Sequence, residues 1–442
     1  MNLRLFLDKA RQAGLLQTNS EELDPHLEMA RVIDRLEGKP LLFERVAGYD
    51  SRVVASICGA RENLALDLGV EVGQLLFLLA DAFARASPPP IIRTGPCQEV
   101  TEGQVDLRRL PILTHLPQDG GPYITAGLTV VKDPEHGRNV AFHRLLLLDA
   151  RHLVARLVEG RGTDTLLRKS PGDVEVAICI GNSVPVLLAA ATSLGPEVDE
   201  FSIAHALRPT PLVKCLTVDL EVPAECEFVL EGRITQTTAP EGPFLDLTGT
   251  MDIVRDGPIV EISCLTHRHD PIYQALLPGG QEHRLLMGLP REPAIYSEVS
   301  KVCRCQNVLL TPAAGTWLHA VVQIEKSHPD DGRRALRAAF DGHPSLKHVV
   351  VVDGDIDIYD PGEVEWAIAT RFQADRDLVV LEHEPGSSLD PSSRHTPGQK
   401  TRTSKMGLDA TIPWRTPLGR LRSPEERLAF KRIRYTDQAG DQ

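Results

Sequence analysis

The sequence predicts an α/β protein in three parts: an N-terminal α/β domain over 1–115, a central antiparallel β-barrel over 116–310 and a C-terminal α/β domain over 311–442. Three observations carry this. At 442 residues the chain exceeds one ordinary core, so two or three domains are expected. From about 123 to 275 it is a succession of β-branched and aliphatic runs bounded by turn residues. After about 310 the rhythm becomes alternating strand and helix.

The N-terminal part opens on an amphipathic helix over 1–10, where Arg4, Asp8 and Lys9 interrupt the apolar residues. Those charges exclude a secretory signal. Asp24 and Pro25 supply an N-cap and first-turn proline for a helix carrying Leu27, Ala30 and Ile33, which Gly38 ends. A strand over 41–46 follows, and the prolines at 88–90 announce a boundary near 95–120. In the middle part strands are expected over 126–131, 140–148, 153–158, 174–180, 212–222 and 228–234, with one helix over 184–191. In the last part a strand over 320–324 leads to a helix over 330–340, a strand over 348–352 and a helix capped by Asp360-Pro361. The tail beyond Glu384, rich in Gly, Ser, Pro and charge, is expected over the surface or over a neighbouring subunit.

A formal net charge of -13 excludes general nucleic-acid binding, which needs basic stripes. Aromatics at 5% supply few stacking surfaces. No apolar run is long enough to span a bilayer, so membrane insertion is not expected. Eight scattered cysteines without a CxxC pair read as reduced thiols of a cytoplasmic protein; the Cys303–Cys305 spacing alone is a weak metal signal.

Several segments carry chemistry. A lone arginine, Arg144, ends an aliphatic run and must find a partner or reach water. An edge-strand arginine in a surface ion pair is the plain alternative. Glu241 and Asp246 flank a Gly242-Pro243 turn; two solvated acids are the plain reading, and two acids coupled to one arginine the functional one. His267, Arg268, His269 and Asp270 resemble a metal cluster at first glance, but a polar strand end is preferred. Neither a GxSxG elbow nor a Walker loop is present.

Four segments in order, "YITAGLTVVKDPEHGRNVAFHRL", "LVKCLTVDLEVPAECEFVLEG", "APEGPFLDLTG" and "SKMGLDAT", resemble the UbiD decarboxylase family over nearly the whole chain. The resemblance implies a split β-barrel holding prenylated FMN between an N-terminal α/β domain and a C-terminal α/β domain used in oligomerisation, as a homodimer or homohexamer. It implies reversible, non-oxidative decarboxylation of an α,β-unsaturated or (hetero)aromatic carboxylic acid through a covalent prenylated-FMN adduct. A flavin prenyltransferase would supply the cofactor.

By the same resemblance Arg144 orients the substrate carboxylate, Glu241 holds Arg144, and Asp246 is the acid–base residue that reprotonates the product. Asn139, Val140, Ala141, Phe142, His143, Arg144, Ser193 and Lys405 would contact the cofactor, with Lys405 reaching its phosphate. Asn139 and Glu200 match ligands for a divalent metal, manganese or magnesium, bridging protein to flavin phosphate; potassium completes the implied set. The family's third ligand is a histidine, and an ungapped count puts Gly162 there. Either His152 or Asp164 substitutes, or the metal site is altered, or the register slips. Gly279-Gly280, Glu282 and His283 are candidates for the active-site mouth.

The segments "YQALLPGGQEHRLLMGLPREP" and "SLKHVVVVDGDIDIYDPGEVEWAIATRFQAD" look like archaeal-type members. Some of these decarboxylate trans-anhydromevalonate 5-phosphate; other members take aromatic acids. Two competing readings remain: a split-barrel oxidoreductase using plain FMN and a nicotinamide, which would not need Arg144, Glu241 and Asp246 together, and a non-catalytic subunit of a decarboxylase complex.

Overall fold

The computed structural model describes residues 2–36, 38–192, 195, 197–393 and 401–433. The chain forms two compact units, Met1–Pro290 and Arg291–Gln442.

In the first unit Leu3–Gln12 is the expected amphipathic helix, burying Leu3, Phe6, Leu7 and Ala10, with Asn2 accepting from the Leu5 N–H as its cap. The second helix starts later than expected, at Glu28. Asp24 instead accepts from the His26 N–H in a local turn, and Leu27, at φ 71°, precedes the helix. The strands Gln17–Leu23, Leu41–Val46, Arg52–Ala55 and Ile272–Gln274 make a four-stranded sheet in that order, so a late segment completes the N-terminal layer.

A nine-stranded sheet forms the centre of this unit. Its path runs Tyr123–Ile124, Leu145–Leu147, His152–Ala155, Arg255–His267, Phe228–Glu241, Val174–Ile180, Leu128–Asp133, Gly137–Phe142, with Val100–Thr101 also pairing with Arg255–His267. Val174–Ile180 is buried on both faces: Val176, Ile178 and Ile180 enter one apolar cluster, Ala177 and Cys179 another. That explains an apolar run without alternation.

The strand expected over 140–148 is broken in two, Gly137–Phe142 and Leu145–Leu147, and only His143 and Arg144 lie between the pieces. The first piece ends the sheet path on one side, and the second lies next to the other end. A three-step link spans at most about 11 Å, so the sheet must roll until its ends approach. Its terminal strands do not pair with each other among the described residues. The expected strand over 212–222 is likewise two short antiparallel strands, Leu212–Lys214 and Glu221–Pro223.

In the second unit, five strands run in the order Arg304–Leu310, His319–Glu325, His348–Asp353, Arg402–Asp409, Leu378–Pro385. The three inner strands are parallel and the outer two antiparallel to their neighbours. Asp360 caps Pro361–Arg371 by accepting from the Gly362 N–H, as expected. The tail is a correction: Arg402–Asp409 lies inside the sheet, not over a surface. Its polar sequence hides this because backbone bonds to both neighbours hold it, while few of its side chains are buried.

No single helix among the described residues is long and apolar enough to cross a membrane. All eight cysteines are free. The 267–270 group is a polar strand end: His267 bonds Glu102, Arg268 pairs with Glu225, and Asp270 pairs with Arg52.

Candidate active site

Arg144 sits at the break between two strands. Its Nε donates to Glu241 Oε1 at 2.8 Å and its Nη2 to Glu241 Oε2 at 2.9 Å, a two-pronged pair. The same Nη2 donates to Asp252 Oδ2 at 2.8 Å. The guanidinium lies over the Phe244 ring, 4.9 Å from its centroid. The surface ion pair is thereby ruled out, because the Glu241 side chain is 0% exposed and that of Arg144 only 13%.

Glu241 ends the long Phe228–Glu241 strand and receives a third bond, from the Tyr123 hydroxyl at 3.1 Å. That hydroxyl in turn accepts from the Gly242 N–H at 3.1 Å. Burial, then the Glu241 charge, pushes the Tyr123 phenol above its usual range, so it stays a donor. Gly242 has φ 102°, and a Cβ there would lie 2.9 Å from the Ile253 carbonyl oxygen. Only glycine makes this turn. Burial would raise Asp252, but the Arg255 hydrogen bond and the Arg144 charge hold it below the usual carboxylate range.

Asp246 follows on the same excursion, half-buried, with Oδ1 accepting from the Leu247 N–H at 2.6 Å. Its charge acts on His283, whose pKa burial pushes down to about 4; the Asp246 charge opposes the shift and that of Arg144 adds to it. Arg144 and Asp246 thus share one electrostatic neighbourhood. His283 is neutral there and accepts from the Gly279 N–H through Nδ1 at 3.0 Å. Glu282 makes a structural tie. It is buried and accepts from the Ser56 and Cys58 N–H groups at 2.9 and 2.8 Å, tying the Gln281–Gly288 helix to the chain after Arg52–Ala55. Burial pushes its pKa up to about 7.

Glu200 lies against the backbone next to Asn139, in the strand Gly137–Phe142. Glu200 Oε2 accepts from the Val140 N–H at 2.9 Å, and burial pushes its pKa up to about 7. Gly162 lies beside Asn139: a Cβ on it would be 2.9 Å from Asn139 Oδ1. The glycine leaves no side chain there. His152 and Asp164 are engaged elsewhere, His152 with Asp149, Asp164 with the Gly160 N–H and Arg168. Instead, Thr163 donates to Asn139 Oδ1 at 3.3 Å and bonds His143 Nε2 at 3.0 Å. An amide oxygen and a carboxylate fit a hard divalent ion, as a set of two protein ligands.

Ser193 lies outside the described residues. Lys405 belongs to the second unit, where it is 3% exposed, donates to the Pro344 carbonyl oxygen at 2.7 Å and lies over the Phe340 ring.

Three family models of 3-octaprenyl-4-hydroxybenzoate carboxy-lyase match in succession: its N-terminal domain over 7–83, its Rift-related domain over 91–281 and its C-terminal domain over 284–410. The chain belongs to the UbiD family. It is 42% identical over 420 residues to the anhydromevalonate phosphate decarboxylase of Methanosarcina mazei, covering 93% of this chain and 96% of that one. The Methanothermobacter thermautotrophicus enzyme of the same name is 40% identical over 419 residues, covering 93% and 97%. Among solved structures, the UbiD-class enzyme HmfF from Pelotomaculum thermopropionicum, in complex with FMN, matches with a TM-score of 0.90 at 38% identity, covering 99% and 100%. Klebsiella pneumoniae 3,4-dihydroxybenzoic acid decarboxylase matches with a TM-score of 0.87 at 26% identity, covering 96% of each chain.

This UbiD chain is therefore a prenylated-FMN-class carboxy-lyase acting on a small carboxylic acid. Its mixed α/β fold is the one those structures share. The motif reading missed Tyr123, Phe244, Asp252 and Thr163. Tyr123 and Phe244 lie inside the quoted motifs and the other two outside them, but each takes its place from what it touches in space.

Proposed function

We propose that this UbiD enzyme decarboxylates a phosphorylated α,β-unsaturated acid of the anhydromevalonate phosphate type, with Arg144, Glu241 and Asp246 as its catalytic residues. The observation that carries the residue roles is the buried Arg144–Glu241 pair with Asp246 in the same electrostatic neighbourhood. The substrate class comes from relatives at 42% and 40% identity over 93% of the chain.

Bound prenylated FMN supplies the electron sink that loss of carbon dioxide from an sp² carbon requires. The chain's own part is positional. Arg144, fixed by Glu241 and Asp252, presents its remaining donor capacity to the substrate carboxylate. Glu241 is itself fixed by Tyr123, so the fork cannot rotate away. Asp246 delivers the proton to the product carbon, and neutral His283 adds no competing charge.

Residues 139–144 line the cofactor in this reading. Asn139 and Glu200 would hold a manganese or magnesium ion, with potassium beside it. The two-residue link through His143 and Arg144 supports a split barrel, because it draws the ends of the sheet together. Eight free cysteines support a cytoplasmic setting, and we place self-association on the C-terminal unit. The buried triad supports a catalytic chain over an idle subunit or an FMN oxidoreductase.

The test is co-expression with a flavin prenyltransferase, then assay of carbon dioxide release from anhydromevalonate phosphate and from aromatic acids. Release from the phosphorylated acid is expected, with little activity when the synthase is omitted. Equal activity with plain FMN would end the cofactor reading, and turnover of aromatic acids alone would end the substrate reading.

A further inference from the structure

Two cross-strand pairs meet on one face of the central sheet. The strands Leu145–Leu147 and His152–Ala155 pair Leu145 with Ala155, so the next position sets Arg144 opposite Arg156; the Arg156 N–H donates to the Arg144 carbonyl oxygen at 3.1 Å. Glu241 pairs with Arg255 across Phe228–Glu241 and Arg255–His267. Residues directly opposite in an antiparallel pair project to the same side, with Cβ atoms roughly 5 Å apart. Asp252 sits between the two pairs: it bonds Arg144 at 2.8 Å, accepts from Arg255 Nη1 and lies 3.9 Å from Arg156 Nε.

One carboxylate is shared three ways: Arg144, Arg156 and Arg255 all lean on Asp252, and Arg144 alone takes both oxygens of Glu241. Among the described residues Arg156 approaches a carboxylate only at that 3.9 Å separation. Burial, and then the neighbouring charge of Arg255, push the Arg156 guanidinium below its usual range. The side chains of Arg156 and Arg255 are 25% and 35% exposed, within reach of a ligand, whereas Glu241 is sealed.

We propose that Arg156 and Arg255 form the subsite for the phosphate of the substrate, beside the Arg144 fork that takes its carboxylate. This deepens, and rests on, the substrate class proposed above. Guanidinium forks match phosphate oxygens in pairs, and two of them that share a single carboxylate keep donors for a phosphomonoester. A substrate with a carboxylate at one end and a phosphate a few bonds away spans neighbouring cross-strand positions. Asp252 is the positioning residue: it holds the three forks apart against their mutual repulsion. Specificity for a phosphorylated acid would then come from this face and not from the flavin.

The flavin also carries a phosphate, so the test separates the two sources. Holoenzyme co-expressed with the prenyltransferase is compared with Arg255→Gln, Arg156→Gln and the charge-keeping Arg156→Lys. Each is assayed with anhydromevalonate phosphate, with its dephosphorylated acid and with inorganic phosphate as a competitor, and flavin content is read from absorbance and mass. The ratio of kcat/KM for phosphorylated over dephosphorylated acid should fall about 10- to 100-fold in Arg255→Gln, mostly through KM, as expected for a lost charge-assisted bond. Inorganic phosphate should inhibit the wild type competitively and the variant less, with flavin content held. Arg156→Lys should recover part of the ratio that Arg156→Gln loses. Loss of flavin in the variants assigns the arginines to the cofactor and overturns the proposal. An equal fall for both acids reveals a structural role and also overturns it. If the wild type shows no preference for the phosphorylated acid, the substrate reading falls first and this assignment with it. If it shows the preference and the variants keep it, only this assignment falls.

Discussion

Arg144 and Glu241 meet fork to fork at 2.8 and 2.9 Å, and the carboxylate is closed off from water. Removing one partner of such a pair leaves an uncompensated charge in a poorly solvated place, a loss of roughly 3–5 kcal/mol. Glu241→Gln should therefore destabilise the protein by about that much, because an amide offers one acceptor and turns its NH₂ towards the guanidinium. Arg144→Lys should keep the charge and lose the fork, so carbon dioxide release should collapse while folding survives better than in Glu241→Gln. Urea unfolding and a decarboxylation assay on both variants check this. Near-normal turnover in Arg144→Lys would show that geometry at this position does not matter.

Asp246 separates proton delivery from every other role in the site. Asp246→Asn keeps the shape and the bond from the Leu247 N–H, but it cannot give up a proton. General acid catalysis contributes roughly 10²–10⁴-fold, so turnover should drop by about that factor at unchanged flavin content. Exchange of product protons with deuterated solvent should fall in parallel. Full exchange in a flavin-replete Asp246→Asn enzyme would move the acid to another group.

The ion expected at Asn139 and Glu200 can be tested by removal. Chelation during reconstitution should weaken cofactor retention, and manganese should restore it. Asn139→Ala should mimic chelation and resist rescue. Metal analysis of active holoenzyme that finds no stoichiometric divalent ion would falsify the assignment. Gly162, which stands beside the Asn139 oxygen without a side chain to offer, would then explain it.

How far the sequence reached depended on whether a residue is defined by its neighbours along the chain or across it. Arg144, Glu241 and Asp246 lie in local motifs, and the structure brings Glu241 onto Arg144. Arg156, Arg255 and Asp252 gather on the same arginine, yet nothing near them in sequence says so. Their placement depends on strand register, where a slip of one residue would turn every side chain to the other face. The Arg402–Asp409 strand escaped for a related reason: it belongs to its sheet through backbone bonds, and its side chains carry no apolar period. Glu282 is singled out for the active-site mouth by its resemblance to a family position. Only its burial and its bonds to the Ser56 and Cys58 N–H groups reveal a cross-tie.

Acid should unfold this protein early, and His115 is the residue that tests why. Burial pushes His115 down to about 3 and His283 down to about 4, far below the ordinary histidine value of about 6.5. For a histidine with a depressed folded-state pKa, the unfolded chain takes up the proton first. The neutral ring therefore costs nothing above pH ~6.5, and stability is lost as pH falls from there towards the folded pKa. At pH ~5 each such histidine has removed about 2 kcal/mol, so this pair alone takes about 4 from a total typically of 5–15. His115 suits a substitution because neither ring nitrogen has a hydrogen-bond partner among the described residues, and its ring packs edge-on against Phe244. His115→Phe keeps an aromatic ring there and removes the titration. Urea unfolding at pH 7.5, 6 and 5 should show the wild type losing about 2 kcal/mol more than His115→Phe over that range. Parallel losses in the two proteins would mean that His115 takes up its proton without unfolding, and that the acid sensitivity lies with other groups.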